Sequence, residues 1–148
     1  MNFGRIALAT LGGLVAYFAL GFLMFAVLPT MKSEFAKYPA VFRPQEAMTS
    51  LMPLAMGAIF VEMVVLAVLY AMTYRGASGL AAGAVFGALI GVFAVCSFVV
   101  HNYVNLNIGL TLTIQQGVAY FSQWLVTGIV IGSIYRPRQA FAPSTPQS

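Results

Sequence analysis

The sequence predicts an all-α fold, an integral membrane four-helix transmembrane bundle, and three observations carry that prediction. Only 7% of the residues are charged while 61% are hydrophobic. A soluble domain carries about 25% charged residues, so this chain cannot cover a water-facing surface of ordinary character. Four apolar runs, Ile6 to Leu28, Pro53 to Thr73, Gly79 to Val100 and Leu112 to Tyr135, each reach the roughly 20 residues that cross a hydrocarbon core of about 30 Å. None of them alternates apolar and polar residues, which a transmembrane β-strand would require.

The first run, 6–28, follows Arg5. It is longer than the apolar core of a signal peptide, about 7 to 15 residues, and no small-x-small cleavage site follows promptly. It therefore reads as the first transmembrane helix. The segment PTMKSEFAKYPAVFRPQEAMTS, Pro29 to Ser50, spaces Phe35, Tyr38, Val41 and Phe42 like one side of a helix, but Pro39 and Pro44 interrupt it. A turn or two of helix lying on the headgroups is expected. Thr49 or Ser50 is expected to cap the second helix, 53–73, whose first turn tolerates Pro53.

The link Tyr74 to Ser78 is short, which predicts that the second and third helices are antiparallel neighbours. After the third helix, 79–100, the link HNYVNLNIGLT from His101 to Thr111 carries no formal charge apart from its histidine. Its polar residues read as a solvated helix end. The fourth helix, 112–135, completes a single domain over residues 1–136. The tail 137–148, rich in Pro and Ser, is expected to be poorly ordered.

Net charge is +4 and the pI about 9.5. The basic residues flank membrane spans, where they orient helices, so nucleic acid is not an expected partner. Placing Arg5, Arg75, Arg136 and Arg138 inside, against Lys32, Lys37 and Arg43 outside, predicts both termini in the cytoplasm of a cell inner membrane. The single cysteine, Cys96, and the single histidine leave no metal-ligand set, disulfide or thiol pair, and no cofactor is expected.

Two constellations stand out. In GLAAGAVFGALIG, Gly79, Gly83, Gly87 and Gly91 recur at every fourth position, and the fourth helix adds Gly128 and Gly132. Each glycine costs roughly 1 kcal/mol against Ala inside a helix in water. In lipid the same spacing lets two backbones approach closely, so these six residues are assigned to helix packing, within the chain or between copies.

The second constellation is polar. Glu62 lies near the middle of the second helix, where a carboxylate costs roughly 2.5 to 3.5 kcal/mol on insertion scales. Helical spacing puts it on a face with Ala55, Ala58, Val65, Leu66 and Leu69, and that face is expected to point at protein. On the fourth helix, with Gln116 as reference, Tyr120, Gln123 and Thr127 fall at about 40°, 340° and 20° at 100° per residue. This stripe about 60° wide is expected to face the bundle interior, with Gln123 bonding Glu62. Glu62, Gln123, Tyr120, Thr127 and Gln116 are thus the candidates for ligand binding or proton coupling, with an interhelical polar clamp as the structural alternative.

The chain offers no Ser/His/Asp set and no membrane-depth cation to hold an anionic cofactor, so an enzyme is not indicated. A short chain with one membrane carboxyl is similar in architecture to the small multidrug-efflux proteins, whose essential Glu lies in the first helix rather than the second. The C-terminal half, GAVFGALIGVFAVCSFVVHNY followed by GVAYFSQWLVTGIVIGSIY, resembles small four-helix bacterial inner-membrane proteins of unknown function. In these a glycine-rich third helix runs into an Asn-Tyr pair and a fourth helix ends in glycines. That resemblance implies the fold and no activity. The expected role is a structural or accessory subunit, or a small homo-oligomeric assembly in the lipid bilayer. The alternative is a small-solute or proton-coupled transporter using Glu62.

Overall fold

A computed structural model describes residues 1–27, 29–76 and 79–136, so the tail from residue 137 and its expected disorder lie outside the described residues. The elements are α1 (Phe3–Val27), α2 (Pro29–Ala36), α3 (Gln45–Ser50), α4 (Met52–Thr73), α5 (Gly79–Ala94), α6 (His101–Asn105) and α7 (Leu110–Ile134), with a π-helical turn, Val95–Val100, joining α5 to α6. No strand occurs among the described residues. Among the described residues, four stretches are long and apolar enough to cross a membrane: Phe3–Met24, Met52–Thr73, Gly79–Asn105 and Leu110–Ile134. The protein is an all-α membrane protein built on four spans.

The third span runs beyond its apolar stretch through His101 to Asn105, where Asn105 Nδ2 donates to His101 O at 2.7 Å. It stops where Leu106 turns extended, at φ −111° and ψ 143°. Neither Thr49 nor Ser50 caps α4. Their hydroxyls donate back to Gln45 O and Ala47 O, each at 2.9 Å, inside α3, and Leu51 takes the cap position without a side-chain bond. Pro53 sits in the first turn of α4, where its missing N–H costs nothing.

The fourth span is the hub of the bundle. It lies closest to α5, then to α1, while α4 packs chiefly on α1. The short link between α4 and α5 does not bring their backbones together; they meet through side chains, with the Tyr70 and Phe86 rings 5.3 Å apart. Tyr70 also packs edge-on against Tyr135 at 6.2 Å. Two bulky rings hold these helices apart where glycines would have let them close. Ala9, Met63, Ala67 and Ile131, all fully buried, anchor the main core.

Arg5 Nη1 donates to Ile134 O at 3.4 Å, satisfying a carbonyl at the end of α7. The start of α1 and the end of α7 therefore share one end of the bundle, as an even number of spans requires.

The segment after α1 does not simply lie on headgroups; it folds back onto the start of α7. Met31 packs with Ile108, Leu112 and Ala119 in a second core, against which Phe35, Tyr38 and Phe42 rest. Gln115 Nε2 donates to Thr30 Oγ1 at 3.1 Å, and Gly109 N–H donates to Tyr38 Oη at 2.9 Å. Just past the end of α2, the exposed Lys37 donates to Glu34, and that bond holds the ammonium above its usual range. A Cβ at position 109 would meet the Tyr38 hydroxyl, so the glycine lets the loop seat here. Tyr38→Phe is expected to cost about 1 kcal/mol by orphaning that N–H, a fall of roughly 2 to 4 °C in the unfolding midpoint for a chain of this size, measured by thermal unfolding in detergent.

Candidate functional site

The interface that positions everything else is built from glycine. Gly79, Gly83, Gly87 and Gly91 are all buried on α5. A Cβ at Gly79 would lie 2.2 Å from Gly132 O, one at Gly83 2.5 Å from Gly128 O, and one at Gly87 2.5 Å from Trp124 O. Reciprocally, a Cβ at Gly128 would lie 2.4 Å from Gly87 Cα and one at Gly132 2.3 Å from Gly79 O. Such separations exclude any side chain, and backbone rests on backbone. At Gly91 the approach loosens: its nearest contact is the Phe121 ring at 3.0 Å. Just beyond, the π-helical turn begins and sets Phe98 against Tyr120, ring centroids 5.3 Å apart.

With one side of α7 pressed on α5, the polar stripe lies on the other sides except at Thr127. Gln116 is 8% exposed and Thr127 1% exposed, and Tyr120 and Gln123 are half-buried. The stripe does not act as one unit. Gln116, Tyr120 and Gln123, with Ala119, form one wall of a cavity of about 230 Å³. Thr127 turns instead toward Leu66, Phe86 and Ile90, where its hydroxyl has no hydrogen-bond partner among the described residues. The opposite wall of the cavity is Tyr17, Gly21 and Met24 of α1, and Met31 and Phe35 of α2 roof it.

Gln123 does not bond Glu62. Its Nε2 donates to the backbone carbonyl of Tyr17 at 3.2 Å, and it fits there because residue 21 is glycine, whose added Cβ would lie 2.6 Å from that nitrogen. Trp124 packs beside Tyr17 with the rings tilted by 44° and their centroids 5.0 Å apart. Gln116, by contrast, presents Oε1 with no partner among the described residues.

Glu62 is also placed differently from expectation. The buried stripe of α4 is Met63, Leu66, Ala67, Tyr70 and Ala71, about 100° round from Glu62. Glu62 faces outward with Ala55, Ala58, Val65 and Leu69, and of its expected neighbours Leu66 alone is buried. The reason is the divergence of the helices: α4 grips α1 only through its C-terminal half, leaving almost every residue from Leu51 to Glu62 exposed. The carboxyl lies within electrostatic reach of Tyr17 and Tyr120. Among the described residues it has no hydrogen-bond donor and no cation.

Reading from the sequence missed Tyr17, Gly21, Met24, Met31 and Phe35. A tyrosine and a glycine four residues apart inside an otherwise apolar helix were the available signal for the first two. No group of three or more His, Cys, Asp or Glu that could hold a metal occurs among the described residues. No known protein family, curated protein or solved structure matches this chain.

Proposed function

We propose that the protein is an accessory subunit of a membrane assembly, joined to its partner through the outward face of α4. Glu62 carries the reading. It is the eleventh of the 22 residues of α4, Met52–Thr73, and it projects from the bundle at the middle of a span. In hydrocarbon that position costs roughly 2.5 to 3.5 kcal/mol, a cost that a donor or cation from outside the chain would offset. Around it Ala55 and Ala58, both exposed, keep the surface low, and further round the same helix a Cβ at Gly57 would touch nothing within 4 Å. That surface suits a close-packed helix.

The partner inferred is a foreign transmembrane helix with a basic or amide side chain at mid-depth. A second copy pairing α4 with α4 would set one carboxyl against another. Arg5 lies at the same bundle end as the last turn of α7, and Arg75 and Arg136 follow spans that finish there, which supports a cytoplasmic location for both termini in an inner membrane.

The test is a photo-crosslinking amino acid at Val61, on the exposed face beside Glu62, in native membranes. An adduct containing peptides of a different protein is expected, weakened about ten-fold by Glu62→Leu and much less by Glu62→Gln. An adduct containing this chain's peptides alone would assign the face to a second copy, and lipid adducts alone would remove the subunit reading.

A further inference from the structure

The end of the bundle where α1 starts and α7 stops has no part in the proposed contact at Glu62, and its charge can be read independently. The acidic residues of the chain are Glu34, Glu46 and Glu62. Glu34 and Glu46 lie in α2 and α3, at the opposite end, and Glu62 lies in mid-span. No acidic side chain therefore belongs to the first end, while Arg5, Arg75 and Arg136 all do. Among the described residues none of these arginines is in an ion pair. At the opposite end Lys32, Lys37 and Arg43 are accompanied by Glu34 and Glu46, and Lys37 is paired with Glu34.

Packing gathers the three arginines. Arg75 follows Tyr74 and Arg136 follows Tyr135, and those two rings meet edge-on with centroids 5.7 Å apart. Arg5 donates to Ile134 O, two residues before Arg136. The side chain of Arg136 lies across the start of α5, where a Cβ at Gly79 would be 2.5 Å from its Nε. The N–H groups of that first turn add positive partial charge to the same surface. Arg75 and Arg136 are exposed, so two guanidiniums are open to an anion that the chain's own side chains do not supply.

Depth selects the partner. Arg75 lies two residues past the end of α4 at Thr73, Arg136 two past the end of α7 at Ile134, and Arg5 two after the start of α1 at Phe3. Two residues reach at most about 7 Å even when extended, and the headgroup layer on each side of the hydrocarbon is about 5 to 7 Å deep. The guanidiniums thus stand at the level of lipid phosphates, which they can bind through paired N–H donors. We propose that this end of the bundle selects anionic phospholipids, with Arg75 and Arg136 holding the headgroup phosphates. Zwitterionic lipids present the same phosphate with an ammonium beside it, which weakens their attraction to a surface that is already positive.

The probe is phosphatidylglycerol against phosphatidylcholine with the same acyl chains, in equal amounts, in nanodiscs that hold the full-length protein. Lipids that stay bound after release from the disc are counted by native mass spectrometry. Phosphatidylglycerol is expected to be favoured roughly twenty-fold, about five-fold for each exposed guanidinium. Arg75→Gln is expected to lower the preference about five-fold, and Arg75→Gln combined with Arg136→Gln to bring it close to parity. Lys32→Gln combined with Arg43→Gln removes the same charge at the opposite end and is expected to leave the preference within about two-fold. In the unaltered protein, a ten-fold rise in ionic strength shortens the screening length about three-fold and is expected to weaken the preference, a readout that needs no variant to fold. Parity between the two lipids in the unaltered protein, or a preference that salt does not move, would overturn the proposal. Equal losses in the two double variants would do the same, since net charge rather than this end would then be responsible. Displacement of phosphatidylglycerol by excess inorganic phosphate at fixed ionic strength would also overturn it, by showing a site for a soluble anion.

Discussion

Gly128→Leu is expected to abolish the folded bundle, while Gly57→Leu on α4 is expected to leave it intact. The two glycines have the same intrinsic helix preference, so propensity alone predicts equal effects. Their surroundings differ. A Cβ at Gly128 would lie 2.4 Å from Gly87 Cα, 2.5 Å from Gly87 N and 2.6 Å from Gly83 O, whereas a Cβ at Gly57 meets nothing within 4 Å. Overpacking against movable side chains costs typically 1 to 3 kcal/mol. Here the obstacles are backbone atoms on a neighbouring helix, which yield only if α5 and α7 separate.

Separation is costly because lipid provides no hydrophobic drive to hold helices together; the pair depends on close contact. The predicted loss exceeds about 3 kcal/mol. Helix content measured by circular dichroism should persist in Gly128→Leu, because each span still satisfies its own backbone in lipid. The tertiary signal should vanish: Trp124, the single tryptophan, is 4% exposed, and its emission should shift to that of a lipid- or detergent-exposed indole. A buried Trp124 in a monodisperse Gly128→Leu protein would show that α5 and α7 can part without loss of the bundle.

The degree to which such features can be read in advance depends on whether one helix contains the whole signal. The four spans were legible because the bilayer fixes their length. The grouping of Gln116, Tyr120 and Gln123 was legible because spacing on one helix determines which side chains share a face, and all three line one cavity wall. The other wall was not, since Tyr17 and Gly21 belong to an apolar helix whose rotation is set by its neighbours. The outward turn of Glu62 escaped for the same reason. The sequence marks a carboxyl in α4, but the buried side was chosen by the fit of Met63 and Ala67 against α1. The roof of the cavity depended on a long-range bond from Gly109 to Tyr38, and the π-helical turn at Val95–Val100 has no glycine or proline to announce it.

The fit of Met63 is the basis of the second large effect. Met63→Ala is expected to lower stability by roughly 2 to 4 kcal/mol, as truncation of a fully buried methionine does elsewhere. Met63 and Ile131 are each 0% exposed, and both close on the same point of α1. A Cβ at Gly13 would lie 3.1 Å from Ile131 Cγ1 and 3.4 Å from Met63 Sδ. This is where α1, α4 and α7 meet. Because α4 rests mainly on α1 and its first half is exposed, a void at Met63 removes the best-packed part of its attachment. Little else on α4 can compensate. The expected outcome is local: α4 loosens while α5 and α7, joined through their glycines, stay together. Hydrogen exchange in detergent distinguishes this from global loss. Amides of residues 63–71 should lose protection in Met63→Ala, while those of 83–91 and 124–132 keep theirs. Uniform loss across both groups would show that the third and fourth spans depend on α4 for their association.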